Sequence, residues 1–302
     1  MAWVKRGQLF DGGPTAWSVS HGAVPVPVPI SDSVIRVFFS ARDSENRGRI
    51  GFADFDPDTW GAPLRISAKP SLDLGELGAF DDHGVTTSWA TKIESRWYHY
   101  YTGWSLGVTV PFYLAVGVAV AEADGETLHR VSQAPLIDRS EVDPLMTASP
   151  CVLWDAGIWR MWYVSATRWQ PTPTGLHHYY HVRYAQSADG LNWTRRGRVA
   201  IDFKSAQEHA IAHPIVIKDA DRYRMWYSYR GERYRIGYAE SPDGLDWTRL
   251  DERVGIAPSS SGWDSEMVEY GHVFDFRGRR YMLYNGNGYG RTGFGLAEWK
   301  PD

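Results

Sequence analysis

The chain repeats itself, and no other feature of the sequence limits its fold as much. Residues 223–250, YRMWYSYRGERYRIGYAESPDGLDWTRL, read as two alternating aromatic runs, a turn at Asp243-Gly244 and a third run opening at Trp247; the same grammar runs from Trp159 to Gly197. Both Asp-Gly pairs predict two-residue hairpin turns. Equivalent pairs, Phe38-Phe39, Tyr100-Tyr101, Trp162-Tyr163, Trp226-Tyr227 and Leu283-Tyr284, recur at spacings of 62, 62, 64 and 57 residues. Each is followed by a small-residue run: IGFA from Ile50, VGVA from Val116, VRYA from Val182, IGYA from Ile236 and FGLA from Phe294. A fixed period of this length belongs to solenoids, propellers or arrays.

The two ends of the chain choose among these. The last unit stops after its third strand at Glu298-Trp299-Lys300, while Trp3 to Gly7 (WVKRG) copies the fourth-strand motif WTRRG at Trp193 to Gly197. The expectation is therefore an all-β, five-bladed β-propeller with four-stranded antiparallel blades, its ring closed by the N-terminal strand joining the last blade. A solenoid would need polar caps at both ends instead. Residues 1–302 form one domain in this reading, with most of the 15 Trp packing blade against blade.

Composition narrows the function classes. A formal net charge of −4 offers no basic field for nucleic acid. Cys151 is the one cysteine and lies in the apolar run CVLW, which reads as a buried, inert thiol. MAWVKRGQLF lacks the apolar segment of a signal peptide, and no apolar run approaches the length of a membrane span, so no membrane partner and a cytoplasmic location are expected.

Within a blade, the start of strand one and the end of strand two reach the same face, where candidate site residues are expected. Second strands end in SARD (40–43), TGWS (102–105), SATRW (165–169), SYR (228–230) and NGNGYGR (285–291). They place Arg42, Arg168, Arg230 and Arg291 around one opening, where guanidinium groups suit a carboxylate or phosphate. Trp104, Trp169, Tyr229 and Tyr289 could stack on a sugar ring, and Asn285 adds a polar contact. Segments entering the first strands supply His21, Asp82 with His83, Asp143, Glu208 and Asp264 with Glu266. Paired carboxylates across a cleft suit glycosidic bond cleavage, one protonating the leaving oxygen while the other activates water or attacks the anomeric carbon.

The motifs SHGAVPVP (20–27), FDDHGV (80–85), ASPCV (148–152), GWDSEMVEY (262–270) and YMLYNGNGYGRTGFGLA (281–297), with the 224–247 stretch, cover nearly the whole length. In them the chain resembles the five-bladed propellers of the arabinanase, invertase and levansucrase superfamily (glycosyl hydrolase families 43, 32 and 68), especially the "glycosyl hydrolase, N-terminal-like" members encoded with bacterial surface-polysaccharide genes. The resemblance implies an acid at the head of the first blade, where this chain has Ser20-His21, an aspartate in the second, matched by Asp82, and a glutamate in the third, matched only loosely by Glu141 or Asp143. It also extends to mannoside phosphorylases, which hold phosphate with basic residues and need one protein acid.

The function expected is a carbohydrate-active enzyme cleaving or transferring a glycosidic bond of an anionic or activated sugar, by hydrolysis, phosphorolysis or transglycosylation, without a cofactor. Asp82, Glu208, Glu266 and His21 are the catalytic candidates, with Glu266 or Glu208 as acid and Asp82 as base or stabiliser. Arg42, His83, Trp104, Asp143, Arg168, Tyr229, Arg230, Asp264, Asn285 and Arg291 are the substrate-binding candidates. Two alternatives stand beside this: a catalytically silent carbohydrate-binding propeller, and a metal-dependent enzyme using His21, His83, His209, His213 and His272.

Overall fold

In the computed structural model, which describes residues 2–173 and 175–300, twenty β-strands form three sheets, with a single short 3-10 turn at Asp251–Arg253. In chain order the strands are β1 (Ala2–Phe10), β2 (Ser20–Ser31), β3 (Val34–Arg42), β4 (Gly48–Phe55), β5 (Arg65–Ile66), β6 (Gly84–Ile93), β7 (Arg96–Leu106), β8 (Phe112–Ala121), β9 (Leu128–Arg130) and β10 (Thr147–Asp155). The second half holds β11 (Ile158–Thr172), β12 (Gly175–Ser187), β13 (Thr194–Ile201), β14 (Ala210–Lys218), β15 (Tyr223–Arg230), β16 (Tyr234–Ser241), β17 (Thr248–Arg249), β18 (Glu269–Phe276), β19 (Arg279–Asn285) and β20 (Phe294–Lys300). Among the described residues no helix is long and apolar enough to cross a membrane.

The strand pairings follow the sequence repeat. β2 to β5, β6 to β9, β10 to β13 and β14 to β17 are antiparallel groups. Single parallel bridges, Gly48 to Gly84 and Tyr180 to Ala210, merge them two by two into the eight-stranded sheets. The last sheet has the order β1-β20-β19-β18, so the N-terminal strand pairs with the C-terminal one. The first strands of successive units touch in a cycle, β2 to β6, β6 to β10, β10 to β14, β14 to β18 and β18 back to β2.

The aromatic pairs divide their labour. Trp162, Trp226 and Tyr100, the first members, are fully buried in the clusters between neighbouring groups. The second members reach sideways to acids: Tyr101, Tyr163 and Tyr284 donate their hydroxyls to Asp81 (2.9 Å), Asp143 (2.9 Å) and Asp264 (3.0 Å), and Tyr227 donates to Asp251. The small residues of the third strands make room for these rings; a Cβ on Gly237 would stand 2.5 Å from the Tyr227 ring. The expected Asp-Gly hairpins prove to be longer loops, residues 188–193 and 242–247, in which Asp189 and Asp243 accept the amides two and three residues on. The carbonyl of Gly244 takes indole N–H bonds from Trp247 (3.1 Å) and from Trp162 (3.0 Å) of the preceding unit. Bridging two units needs the extra loop length. Cys151 is buried as expected, and burial pushes its thiol pKa up.

Candidate functional site

Every first strand carries a β-bulge at the same place. Register shifts fall between Ala23 and Val26, Thr87 and Trp89, Ala148 and Cys151, Ala212 and Ile215, and Glu269 and His272. Bulges re-aim side chains next to functional sites. Four non-glycine residues in them are left-handed, Val24 (φ 53), Ser149 (φ 45), His213 (φ 50) and Tyr270 (φ 51). Such conformations cost about 1–3 kcal/mol each and persist where the surroundings hold them.

Here the holder is the residue after the aromatic pair. Ser40, Thr102 and Ser228 accept amide hydrogen bonds from Thr87 (2.9 Å), Ser149 (2.9 Å) and Tyr270 (2.7 Å) of the next unit, and Asn285 Oδ1 accepts from Val24 (2.8 Å). The fifth equivalent is Val164, which has no such group. Asn285 is thus a buried clamp, its Nδ2 also donating to the carbonyls of Gly22 and Gly293 (2.7 Å each). This structural use accounts for it better than the substrate contact expected from the sequence.

The bulged strands surround a central cavity of about 390 Å3. Its floor includes Ala23, Thr86, Ala148 and Ala212; its walls include Arg42, Trp104, Phe112, His178, Tyr180, Tyr270 and Tyr289. The hairpin of β11 and β12, 15 and 13 residues long, outreaches the others and raises His178 and Tyr180 over the opening. Arg42 stacks over Trp104 (4.8 Å) and donates to the Asn46 carbonyl (3.0 Å). No carboxylate is among the lining residues.

Charge around the opening is set by unpaired cations. Asp43, next in the chain to Arg42, is taken by Arg47 (2.9 Å) and Arg49. Among the described residues Arg42, Arg168, Arg230 and Arg291 form no ion pair with a carboxylate. Arg230 lies between the rings of Tyr234 (5.6 Å) and Tyr289 (5.4 Å), its buried Nε without an acceptor. Burial, then Arg42 and Arg291, lower the His21 pKa to about 4; burial, then His209, Arg230 and His177, bring His178 to about 4. Both rings are neutral at pH 7.

The sequence candidates separate on this geometry. Arg42 and Trp104 line the cavity, Arg230 lies over the Tyr289 ring, and His21 is within electrostatic reach of both Arg42 and Arg291. His83 packs edge-on against Trp104 (4.7 Å). Arg168 does not converge: it is exposed over Tyr179 (3.8 Å), which alternates with the cavity-lining His178 and Tyr180 and so lies on the other face of the hairpin. Trp169 supports the wall through Phe112 (5.3 Å) and His178 (5.4 Å), whereas Tyr229 lies under Arg249 (5.5 Å) away from the lining.

Most of the expected acids are engaged in structural ion pairs. Asp143 is fully buried between Tyr163, Arg195 (2.8 Å) and Arg183 (3.3 Å); Asp264 between Tyr284 and Lys5 (2.6 Å). Glu208 is held by Arg249 through both oxygens (2.7 and 3.0 Å). Lys5, Arg195 and Arg249 all come from the strand that closes each group, and a fourth such cation, Arg130, meets Asp81 (2.8 Å). These pairs tie strand four to the segment that enters strand one, which explains the recurrence of acids there. Glu266 is exposed, 3.3 Å from Arg233, and is not among the lining residues. Asp82 accepts the Gly78 amide (3.0 Å) and lines a separate depression of about 390 Å3 that shares Leu114 with the central cavity.

The histidines proposed to share a metal are dispersed. Among the described residues no three His, Cys, Asp or Glu side chains come together as metal ligands. His21 bonds Ser20 (2.8 Å), His209 stacks on His177 (5.5 Å), and His213 and His272 form a separate buried pair (6.0 Å).

One acid was missed. Glu269 is 0% exposed, and neither carboxylate oxygen has a partner in hydrogen-bonding geometry. Burial raises its pKa well above the usual carboxylate value, against the opposing pull of Arg230 and the Tyr289 amide. The repeat held the signal: one ladder step beyond the aromatic pair, Ser40, Thr102, Val164, Ser228 and Asn285 face Ala23, Thr86, Ala148, Ala212 and Glu269. Only the fifth is titratable.

Two proteins of Mycobacterium tuberculosis, "Uncharacterized protein Rv1502" (strain ATCC 25618 / H37Rv) and "Uncharacterized protein MT1551" (strain CDC 1551 / Oshkosh), are each 45% identical to the chain over 298 residues, 98% of this chain and 99% of theirs. The chain belongs to their family. No family model matches it. Among solved structures, a "Glycoside hydrolase" is similar with a TM-score of 0.76 at 18% identity, over 99% of this chain and 92% of its own. A thermostable family-43 glycoside hydrolase is similar with a TM-score of 0.71 at 16% identity, over 99% and 94%. The GH32 beta-fructofuranosidase BmSUC1 of Bombyx mori follows with a TM-score of 0.66 at 13% identity, over 98% of this chain and 62% of the enzyme. At these identities the likeness shows the fold alone, all-β like that of the β-propeller neighbours; what the chain does rests on the site.

Proposed function

We propose that the protein is a carbohydrate-active enzyme that takes an anionic or activated glycoside into the central cavity and cleaves or transfers its glycosidic bond. In this reading the five antiparallel groups are the blades of one propeller domain, and β1 closes the ring by completing the last blade. The observation that carries the functional reading is the pair of half-buried, unpaired guanidinium groups at a carboxylate-free opening, Arg42 in the wall and Arg230 over the Tyr289 ring, with exposed Arg291 within electrostatic reach of His21. A buried or half-buried cation without a counter-ion is costly unless a ligand supplies one.

The remaining wall suits a sugar. Trp104 and Tyr289 offer ring faces, Tyr180 a hydroxyl, and the volume is within the range of small-molecule sites. Neutral His21, at the place of the superfamily's first-blade acid, can accept a proton, and the Asp82 depression offers room for the rest of a longer substrate. Inorganic phosphate would fit the arginines as well as a sugar acid would, so phosphorolysis stands beside hydrolysis. The absence of any carboxylate from the lining favours a second reading, a carbohydrate-binding propeller without turnover.

Incubation with a panel of glycosides and sugar phosphates, with and without inorganic phosphate and read by mass spectrometry, separates the two readings: a converted glycoside supports the enzyme, and binding without conversion the module. Arg42→Ala is expected to weaken the selected ligand by about 2–5 kcal/mol, as truncation of a desolvated charge pair does. Unchanged affinity in both Arg42→Ala and Arg230→Ala would remove the anionic ligand from the proposal.

A further inference from the structure

Five ladder-equivalent residues ring the cavity floor, and four of them, Ala23, Thr86, Ala148 and Ala212, line it. They are small. The fifth, Glu269, is larger than its companions and projects from the equivalent position of β18, beneath Tyr270, which lines the cavity in a strained left-handed conformation. The groups that act on it electrostatically come from every element around it: Arg230 of β15, Tyr270 of its own strand and the Tyr289 amide of the 286–293 loop, while Glu269 in turn acts on Tyr234 of β16 and Tyr180 of β12. Tyr180 and Tyr234 satisfy each other through their hydroxyls (2.7 Å) rather than through Glu269, neither of whose oxygens has a partner in hydrogen-bonding geometry.

A buried carboxyl with two unpartnered oxygens is among the most costly groups a core can hold, and Ala serves at three of the other four positions. Packing therefore gives no reason for Glu there. Its cover is thin: Tyr289 sits on a loop containing Gly286, Gly288, Gly290 and Gly293, is 40% exposed and has a left-handed backbone.

Resting on the glycoside-cleaving reading, we propose that Glu269 is the catalytic acid of this cavity, uncovered by a shift of Tyr289 and directed at the leaving oxygen of a glycoside whose anionic group is held by Arg42 and Arg230. The Glu269 proton passes to the glycosidic oxygen as its bond to the anomeric carbon breaks, with the bonding electron pair going to oxygen. Water or inorganic phosphate forms the new bond to that carbon. With water, the proton it releases restores the carboxyl; with phosphate, one from solvent does. Burial favours the protonated form of the carboxyl, the direction a general acid requires.

The test compares wild type, Glu269→Gln and Glu269→Ala on two glycosides of the sugar converted in the panel, one with a 4-nitrophenyl and one with a methyl leaving group. Ala at the equivalent positions makes Glu269→Ala a variant that folds. Both variants should lose about 100-fold or more in kcat on the methyl glycoside and less than about tenfold on the 4-nitrophenyl glycoside, which departs without a proton. The fall of kcat/KM at alkaline pH should disappear in Glu269→Gln. Equal losses on both substrates, or an unchanged alkaline limb, would overturn the assignment while leaving the enzyme reading intact. A wild-type protein inert on every glycoside would sink both.

Discussion

Removal of residues 1–10 is expected to abolish cooperative folding at 25 °C. β1 contributes the buried side chains of Trp3, Leu9 and Phe10 and a ladder running from Ala2 opposite Lys300 to Phe10 opposite Phe294. Each buried large apolar side chain stabilises by about 1.5–3 kcal/mol, so the three together, about 4.5–9 kcal/mol, equal most of the lower half of the roughly 5–15 kcal/mol that a typical domain has in total. The truncation also takes Lys5 away from Asp264, leaving a buried carboxylate with only the Tyr284 hydroxyl. Thermal melting followed by circular dichroism checks this. A truncated protein that melts within a few degrees of the full chain would show that β1 is an accessory strand.

Acid should unfold the protein well above the range in which ordinary carboxylates protonate. His99, His213 and His272 are 6%, 1% and 4% exposed, and burial lowers the first two to about 3 and the third well below its usual 6.5. The unfolded chain binds protons at these positions below pH 6.5 while the folded chain does not. Stability is therefore present above pH 6.5 and lost as pH falls toward the folded values, at about 1.4 kcal/mol per pH unit for each ring. Glu269 acts in the opposite sense, because its raised pKa makes the folded state hold a proton that the unfolded state releases above about pH 4.5. One carboxyl against three imidazoles leaves the histidines dominant between pH 6.5 and 4.5. Urea midpoints measured across that window should fall steeply with acid, and His213→Asn should flatten the slope by about one proton. A midpoint constant down to pH 4.5 would mean that these rings find partners in solution.

A buried network offers a third check. Asp143→Ala would strand Arg183 and Arg195 and leave the Tyr163 hydroxyl unpaired, and breaking such a pair from one side costs about 3–5 kcal/mol. Comparable binding of the selected glycoside by the folded fraction would confirm that Asp143 supports the sheet rather than the ligand.

The repeat could be read from the sequence because each unit must bury the same face against its neighbours. The aromatic pairs, the small third strands and the WVKRG copy of WTRRG were enough to anticipate an all-β chain whose N-terminal strand pairs with β20. Arg42 and Trp104 line the cavity because the second strands of the first two units end on it, whereas Arg168 at the matching end of the third does not. Which acids stay free for chemistry was decided by tertiary structure alone. Asp143, Asp264 and Glu208 look like site residues until the closing strand delivers Arg195, Lys5 and Arg249 to them, and those partners come from as far as the other end of the chain. Glu269 showed the reverse: by composition it was one glutamate among several in GWDSEMVEY, and only the ladder register set it opposite Asn285, in a ring of small residues, with no hydrogen-bond partner for either carboxyl oxygen. Residue type and spacing are fixed in the chain, but desolvation and pairing are properties of distances the chain does not contain until it folds.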